Sequence, residues 1–167
     1  MKHTLAFDFS VDKENKTITI TREFAAARDL VWDAFTTREI LDQWWAPKPW
    51  KVKTKSMDFR IGGHWRYAMC GPAGEEYWSW QTYTDVQPKT RYAGKDAFTD
   101  PEGNINTEWP QSMWEVTFTE SEQGTVVTML LSYDDLAQLE ANIAMGFKEG
   151  ITMTLDALTE LLPSLKK

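Results

Sequence analysis

The stretch that decides the fold is DFRIGGHWRYAMCGPAGEEYWSW, residues 58–80, in which two alternating segments are separated by a turn rich in glycine and proline. A glycine pair precedes the first segment, and such punctuation predicts strands joined by tight turns. Side chains alternate between the two faces of a strand, so Trp65, Tyr67 and Met69 share one face. The stretch therefore predicts part of an antiparallel sheet that carries large aromatic rings on one face.

Alternation and turn residues predict strands along most of the remaining chain. The predicted strands are an N-terminal hairpin within residues 5–24, followed by segments near 50–55, 64–70, 75–86, 91–98, 108–119 and 125–133. The apolar spacing becomes helical after Arg28 and again over residues 38–45, where Thr37 can cap the second helix. Many antiparallel strands followed by a helical region are typical of an α+β domain.

The last third of the chain has helical spacing, with Asp134 or Asp135 as the capping residue. Its apolar stripe consists of Ile143, Phe147, Ile151, Leu155, Leu158 and Leu162. Gly146 and Gly150 lie inside this region, and each glycine costs about 1 kcal/mol relative to alanine in a helix interior. The helix breaks near Gly146, or it packs closely on the sheet, or the glycines leave space for a ligand.

Length and composition limit the classes of protein. A chain of 167 residues suggests one domain, 1–167, with an extra N-terminal strand or hairpin in 1–16 and a core in 17–162. A net charge of −7 argues against a nucleic-acid partner. No apolar run is long enough for a membrane span, and the first residues do not resemble a signal peptide. A single cysteine, Cys70, favours a cytoplasmic location.

Several short motifs follow one another along the chain in a characteristic order. They are Thr21-Arg-Glu-Phe24, Val31-Trp32, Trp44-Trp45-Ala-Pro47, Asp58-Phe-Arg-Ile-Gly-Gly63, Trp65-Arg-Tyr67, Gly124-Thr-Val-Val-Thr128, and Glu149-Gly150 with Leu155 and Leu158 behind it. From about residue 17 to 162 the chain resembles the START-like (SRPBCC) superfamily. Within it, the chain is similar to the group named for homologues of the activator of heat-shock protein 90 ATPase.

This resemblance implies a helix-grip fold, in which a curved antiparallel sheet wraps around a long C-terminal helix, with two short helices between the first and second core strands. A cavity often lies between sheet and helix in such proteins, but the fold does not define one activity. The chain departs from the family pattern at Gln81, where glycine is usual, and at Ile151, where tryptophan is frequent. Both positions bear on the nature of the ligand.

Aromatic rings with a few polar groups are the usual lining of small-molecule pockets, although aromatic stripes also build solid cores. The faces of strand 75–86 cannot be assigned, because both carry aromatic rings. We expect a cavity lined by Trp44, Trp65, Tyr67, Met69, Trp78, Trp80, Trp114, Phe118, Phe147 and Gly150.

The sequence does not identify catalytic residues. Asp58 and Arg60 lie two positions apart, so they are expected to form a structural ion pair at the turn made by Gly62 and Gly63. One cysteine and two histidines, one of them His3, lack the spacing of a metal site, and no phosphate-binding loop is present, so no metal or cofactor is expected.

Three functions follow from these expectations. The first is binding of a small apolar or aromatic molecule in the cavity. The second is a cyclase or hydrolase that uses the same cavity without a metal, which requires an ionisable side chain pointing inward. The third is a co-chaperone, which a chain expected to hold one domain does not favour, because related co-chaperones use a second domain for docking. A homodimer remains open.

Overall fold

The computed structural model describes residues 5–165. The elements are β1 (Phe7–Asp12), β2 (Thr17–Phe24), α1 (Arg28–Thr36), α2 (Arg38–Trp44), β3 (Lys51–Asp58), β4 (His64–Cys70), β5 (Glu76–Gln87), β6 (Arg91–Thr99), β7 (Ser112–Glu120), β8 (Thr125–Ser132), α3 (Leu136–Ala144) and α4 (Phe147–Leu165). Residues 1–4, which include His3 and the start of the segment predicted over 1–16, and residues 166–167 lie outside the described part.

All eight strands form one antiparallel sheet in the order β1-β2-β8-β7-β6-β5-β4-β3. The register shifts between Thr54 and Ser56 on β3 and between Tyr83 and Asp85 on β5. An extra residue on one strand of a pair bends the strand and increases its twist, so these irregularities curve the sheet. The two short helices lie between β2 and β3, as predicted for the first and second core strands.

One face of the sheet is buried because apolar residues alternate along its strands. On β8, Val127, Met129 and Leu131 are fully buried, whereas the residues between them are partly exposed. On β7, buried Trp114 and Val116 alternate with exposed residues in the same way. The apolar residues that alternate in the sequence therefore point toward the helix, and the residues between them point to the outer face of the sheet.

The C-terminal helix α4 packs on the buried face. Leu155 and Leu158 are fully buried in the common core, and Arg22 of β2 forms an ion pair with Asp156 at 2.8 Å. A curved antiparallel sheet closed by a terminal helix is the predicted helix-grip fold, which is confirmed. Within residues 5–165, no helix has the length and apolar character that crossing a bilayer requires.

The helical region is divided at Gly146. This residue has a φ of +87° and donates its N–H to the carbonyl of Ile143 at 3.0 Å, as a glycine that ends a helix does. Of the three explanations for the glycines in this region, the helix break is therefore the one that applies to Gly146. Gly150 lies inside α4, where an added Cβ would meet no atom within 4 Å, so close packing does not explain it. At the start of α3, Asp135 accepts the N–H of Gln138 at 2.8 Å, which is the predicted cap.

Two predicted details are corrected. The strand expected from residue 108 begins only at Ser112, because Pro110 has no N–H to donate to the neighbouring strand. Thr37 occupies the position before α2, but its side chain makes no capping hydrogen bond. Its carbonyl instead accepts the N–H of Leu41 at 2.9 Å.

Candidate functional site

A cavity of about 230 Å³, partly open to solvent, lies between the sheet and the C-terminal helices. Strands β4 to β7 supply one wall, and α3, the break at Gly146 and α4 supply the other. Trp45 and Pro47 after α2, Pro110 before β7 and Tyr133 after β8 complete the lining. The surface is mainly apolar and aromatic, the character expected of a small-molecule site.

Five of the ten residues expected at the cavity line it: Tyr67, Met69, Trp114, Phe147 and Gly150. The rings of Trp114 and Phe147 meet edge to face, with centroids 6.3 Å apart, and thereby join the sheet to α4. Gly150 leaves open space on the cavity side of the helix because it has no side chain. This part of the predicted set comes together in the structure.

Three of the other expected residues are buried behind the lining. Trp44 donates its indole N–H to the carbonyl of Ala34 at 2.9 Å and so belongs to the packing of the short helices. Trp65 donates to the hydroxyl of Thr54 at 3.1 Å and stacks on Tyr67, with ring centroids 4.0 Å apart. Phe118 packs in the core beyond Trp114 on the same strand. These side chains support the wall without lining the cavity.

The last two, Trp78 and Trp80, are corrected to the outer face of β5. Ser79 of β5 pairs with Tyr67 of β4 and, like Tyr67, lines the cavity, so its immediate neighbours point away. Trp78 lies under the guanidinium of Arg66, 5.4 Å from the ring centroid. Trp80 stacks on the imidazole of His64 with centroids 4.5 Å apart. Both tryptophans cover the back of the sheet.

Trp45, which was not among the expected lining residues, supports the cavity wall. Its indole N–H donates a hydrogen bond to the Tyr67 hydroxyl at 3.0 Å. Its ring contacts those of Trp65 and Trp114, with centroids 5.6 and 6.1 Å away. The end of α2 is thus attached to two buried rings of β4 and to one buried ring of β7. Its position beside Trp44 in the Trp-Trp motif was the available signal.

The cavity-lining residue that the sequence did not reveal is Asp96. It lies on the inner face of β6, paired with Gln81 of β5 on one side and Ser112 of β7 on the other, and it lines the cavity. Its Oδ1 is buried and has no hydrogen-bond partner among residues 5–165. Burial raises the pKa of this carboxyl to about 7. The available signal was parity, because Tyr92, Asp96 and Phe98 share one face of the predicted strand.

Hydroxyl groups surround the carboxyl. Tyr67 is buried, and its desolvation, followed by the nearby charge of Asp96, holds the pKa of its hydroxyl far above the ordinary value. Burial likewise raises the pKa of Tyr133 to about 12, and Asn142 donates a hydrogen bond to its hydroxyl. Ser112 accepts the indole N–H of Trp114 at 2.8 Å. These groups stay neutral near pH 7, so the carboxyl is the group that titrates there.

Among the described residues that line the cavity, Asp96 is the only Asp, Glu, Lys, Arg or His. The site therefore offers one proton donor or acceptor without a second charged group to assist it. No cluster of three metal-binding side chains was found in the part of the chain that the structure describes. The arrangement supports recognition of an organic molecule, with one carboxyl to pair with a polar group or to transfer a proton.

The Asp58–Gly63 motif has a structural role in the sheet. Asp58 and Arg60 form the expected ion pair, with Oδ2 and Nε 2.6 Å apart, and both side chains are exposed. The backbone N–H of Gly62 donates to the carbonyl of Tyr83 at 2.9 Å, and the carbonyl of Gly63 accepts the Tyr83 N–H at 3.0 Å. None of the four residues lines the cavity. The turn fixes the start of β4 against β5.

Fold and cavity together define a helix-grip protein with a partly open cavity between its sheet and its terminal helix. The family model of "Activator of Hsp90 ATPase homolog 1-like protein" matches residues 25–163. The chain therefore belongs to this family, as the sequence motifs predicted. A search of curated proteins found no significant match.

Solved structures with the same fold include protein Ms6760 from Mycobacterium smegmatis, which is 31% identical with a TM-score of 0.87, covering 95% of this chain and 97% of that one. A protein from Arthrobacter aurescens, solved by NMR, is 24% identical with a TM-score of 0.89, covering 94% of this chain and 91% of that one. The AHSA1 protein from Silicibacter pomeroyi is 20% identical with a TM-score of 0.72, covering 90% of this chain and 99% of that one. The last two similarities support the fold alone.

Proposed function

We propose that the protein binds a small apolar or aromatic molecule in the cavity between the sheet and α4. The observation that carries this proposal is the lining itself, in which aromatic rings from β4, β5, β6, β7 and α4 enclose space beside a glycine whose missing side chain leaves room. An apolar cavity of about 150 Å³ is large enough to bind benzene. A cavity of about 230 Å³ therefore accommodates a ligand built on one aromatic ring with a short substituent.

A substitution that fills the cavity tests the proposal. Gly150→Leu places a side chain in the open space, whereas Gly150→Ala adds only a methyl group at the same position. With 2-phenylethanol and indole as probes, calorimetric titration is expected to show binding to the natural chain, at least about tenfold weaker binding to the leucine variant and a smaller change for the alanine variant. Equal binding to all three proteins, or to none, would contradict the proposal.

Asp96 supports a second candidate, a cyclase or hydrolase that uses the same cavity. A carboxyl whose pKa lies near 7 both accepts and donates protons efficiently at neutral pH. The matching test measures turnover of small aryl esters and of β-dicarbonyl compounds by the natural chain and by Asp96→Asn. Rates that equal the uncatalysed rate, or that are the same in both proteins, would eliminate this candidate.

We infer a cytoplasmic location from the composition, in which the lone Cys70 is unpaired and half-buried, and cell fractionation would test this. The homodimer that the sequence left open is tested by light scattering of the purified chain. The co-chaperone function, which ranks third, is tested by co-purification with the heat-shock ATPase.

A further inference from the structure

The carboxyl of Asp96 has no evident role in holding the fold together. Its Oδ1 is buried without a hydrogen-bond partner, and the residue forms no ion pair within residues 5–165. Burying a carboxylate oxygen without a partner costs free energy, so a structural role would be served better by a neutral side chain. An uncompensated carboxyl in a cavity wall is characteristic of a functional group.

The indole and amide nitrogens of the cavity wall donate hydrogen bonds within the wall. The indole of Trp45 donates to Tyr67, that of Trp114 donates to Ser112, and the amide of Asn142 donates to Tyr133. The lining contributes no lysine, arginine or histidine among the described residues. No hydroxyl among the described lining residues donates to the buried Oδ1 either, so a positively charged partner for the carboxylate has to come from the molecule that enters the cavity.

The rings around the carboxyl suit a cation with an apolar body. Trp114, Tyr133 and Phe147 line the same space as Asp96, and the negative faces of aromatic rings attract ammonium groups. The formal net charge of −7 also favours the approach of a cation over that of an anion. The cavity volume, the aromatic lining and the net negative charge of the chain thus all favour a small molecule with an apolar body and a positive charge.

We propose that the ligand of this cavity is a small aromatic amine, whose protonated amino group pairs with the carboxylate of Asp96 while its ring lies among the aromatic side chains. This inference rests on the proposed function and specifies the class of its ligand. It makes Asp96 a binding residue whose charge is balanced only in the complex.

Three probes of nearly the same size separate the head groups: 2-phenylethylamine is a cation, 2-phenylethanol is neutral and phenylacetate is an anion. At about pH 8, calorimetry is expected to show the amine binding at least about tenfold more tightly than the alcohol, with phenylacetate weakest. Asp96→Asn is expected to lower amine affinity to the level of the alcohol and to change alcohol affinity less than about threefold. Glu122→Gln, which removes an exposed carboxylate beyond the far end of β7, is the matched control and should leave amine binding unchanged.

The pH dependence of the natural chain gives a measurement that needs no variant. The titratable groups on other strands that interact electrostatically with Asp96 are Tyr67 from β4, Tyr83 from β5 and Tyr133 after β8, and burial raises the pKa of each hydroxyl. Tyr77 of β5 also lines the cavity. The lining residues of α3 and α4 are not ionisable. Because the carboxyl has a pKa of about 7 and the amine stays protonated, amine affinity should rise about tenfold between about pH 6 and pH 8, with no such rise for the alcohol.

The outcomes are distinguishable. If the alcohol or phenylacetate binds as tightly as the amine, or if Asp96→Asn retains full amine affinity, the amine inference is overturned while ligand binding in the cavity stands. If amine affinity is flat with pH in the natural chain, the inference is overturned in the same way. If none of the three probes binds, both the inference and the proposed function fail.

Discussion

The indole N–H of Trp45 donates to the hydroxyl of Tyr67 at 3.0 Å, and this bond joins the end of α2 to the middle of the sheet. Both residues are buried, with 6% and 3% of their surface exposed, so water is poorly placed to replace either partner. The bond therefore fixes the indole that forms one side of the cavity. Its loss should affect stability and the shape of the site together.

Tyr67→Phe should destabilise the protein by about 1–3 kcal/mol, because it leaves a buried N–H without an acceptor. Urea unfolding followed by circular dichroism measures the change. Tyr77→Phe is the control, since that side chain is 45% exposed and its loss should cost less than about 0.5 kcal/mol. Similar losses for both variants would show that the bond contributes nothing specific.

Substitution by alanine should change the stability of the protein in opposite directions at the two glycines of the helical region. Gly146→Ala forces a side chain onto a residue with a φ of +87° and should cost about 1–2 kcal/mol. Gly150→Ala places its methyl group in open space within a regular helix and should stabilise by up to about 1 kcal/mol. Thermal unfolding of the two variants decides the matter, and changes of the same sign would contradict the assignment.

Asp96→Asn should stabilise the ligand-free protein at alkaline pH. Burial raises the pKa of the folded-state carboxyl to about 7, above its usual value near 4, so the folded state holds the proton more tightly than the unfolded state. The contribution of Asp96 to the stability of the natural chain therefore falls as pH rises from about 4 to about 7 and then levels off. The asparagine variant lacks this fall and should be more stable by roughly 1–4 kcal/mol at about pH 8, with little difference near pH 4.

Chemical unfolding of both proteins across this pH range measures the difference, with Glu122→Gln as the comparison for an exposed carboxylate. A constant difference between the natural chain and Asp96→Asn would mean that the carboxyl does not titrate in this window.

Substitutions that add side-chain volume to the glycine turn before β4 should destabilise the protein, whereas removal of a charge there should have little effect on stability. A Cβ added at Gly63 would lie 2.0 Å from the backbone carbonyl oxygen of Asp58, so Gly63→Ala should destabilise by about 2–3 kcal/mol or more. Arg60→Ala removes an exposed ion pair and should cost less than about 0.5 kcal/mol. Equal effects in denaturant unfolding would refute this interpretation of the motif.

Local patterns in the sequence predicted the α+β class and the order of the elements, whereas the helix-grip architecture was implied by the family resemblance. Alternation located the strands, and the change to helical spacing located α1, α2 and the terminal region, because both periods follow from backbone geometry. Pro110 shows the limit at strand ends, where a missing N–H outweighs the alternation around it. The positive φ of Gly146 similarly selected one of three explanations that propensity alone left open.

The site was less predictable because its composition depends on long-range register. On β5 both faces carry aromatic rings, and only the pairing of Ser79 with Tyr67 and with Phe98 determines which face turns inward. Asp96 was missed for a related reason, since its burial depends on α3 and α4 covering the opposite side. Parity placed it with aromatic residues, but a carboxyl among them has no local signature.

The corrected positions of the tryptophans have an optical consequence. Of the chain's nine indoles, Trp45 and Trp114 line the cavity, while Trp78 and Trp80 lie on the opposite side of the sheet. Total fluorescence emission therefore mixes chromophores near a guest molecule with chromophores that never meet it. Replacing the outer pair by phenylalanine would remove part of that constant background, so that quenching reports more directly on the two indoles beside the guest.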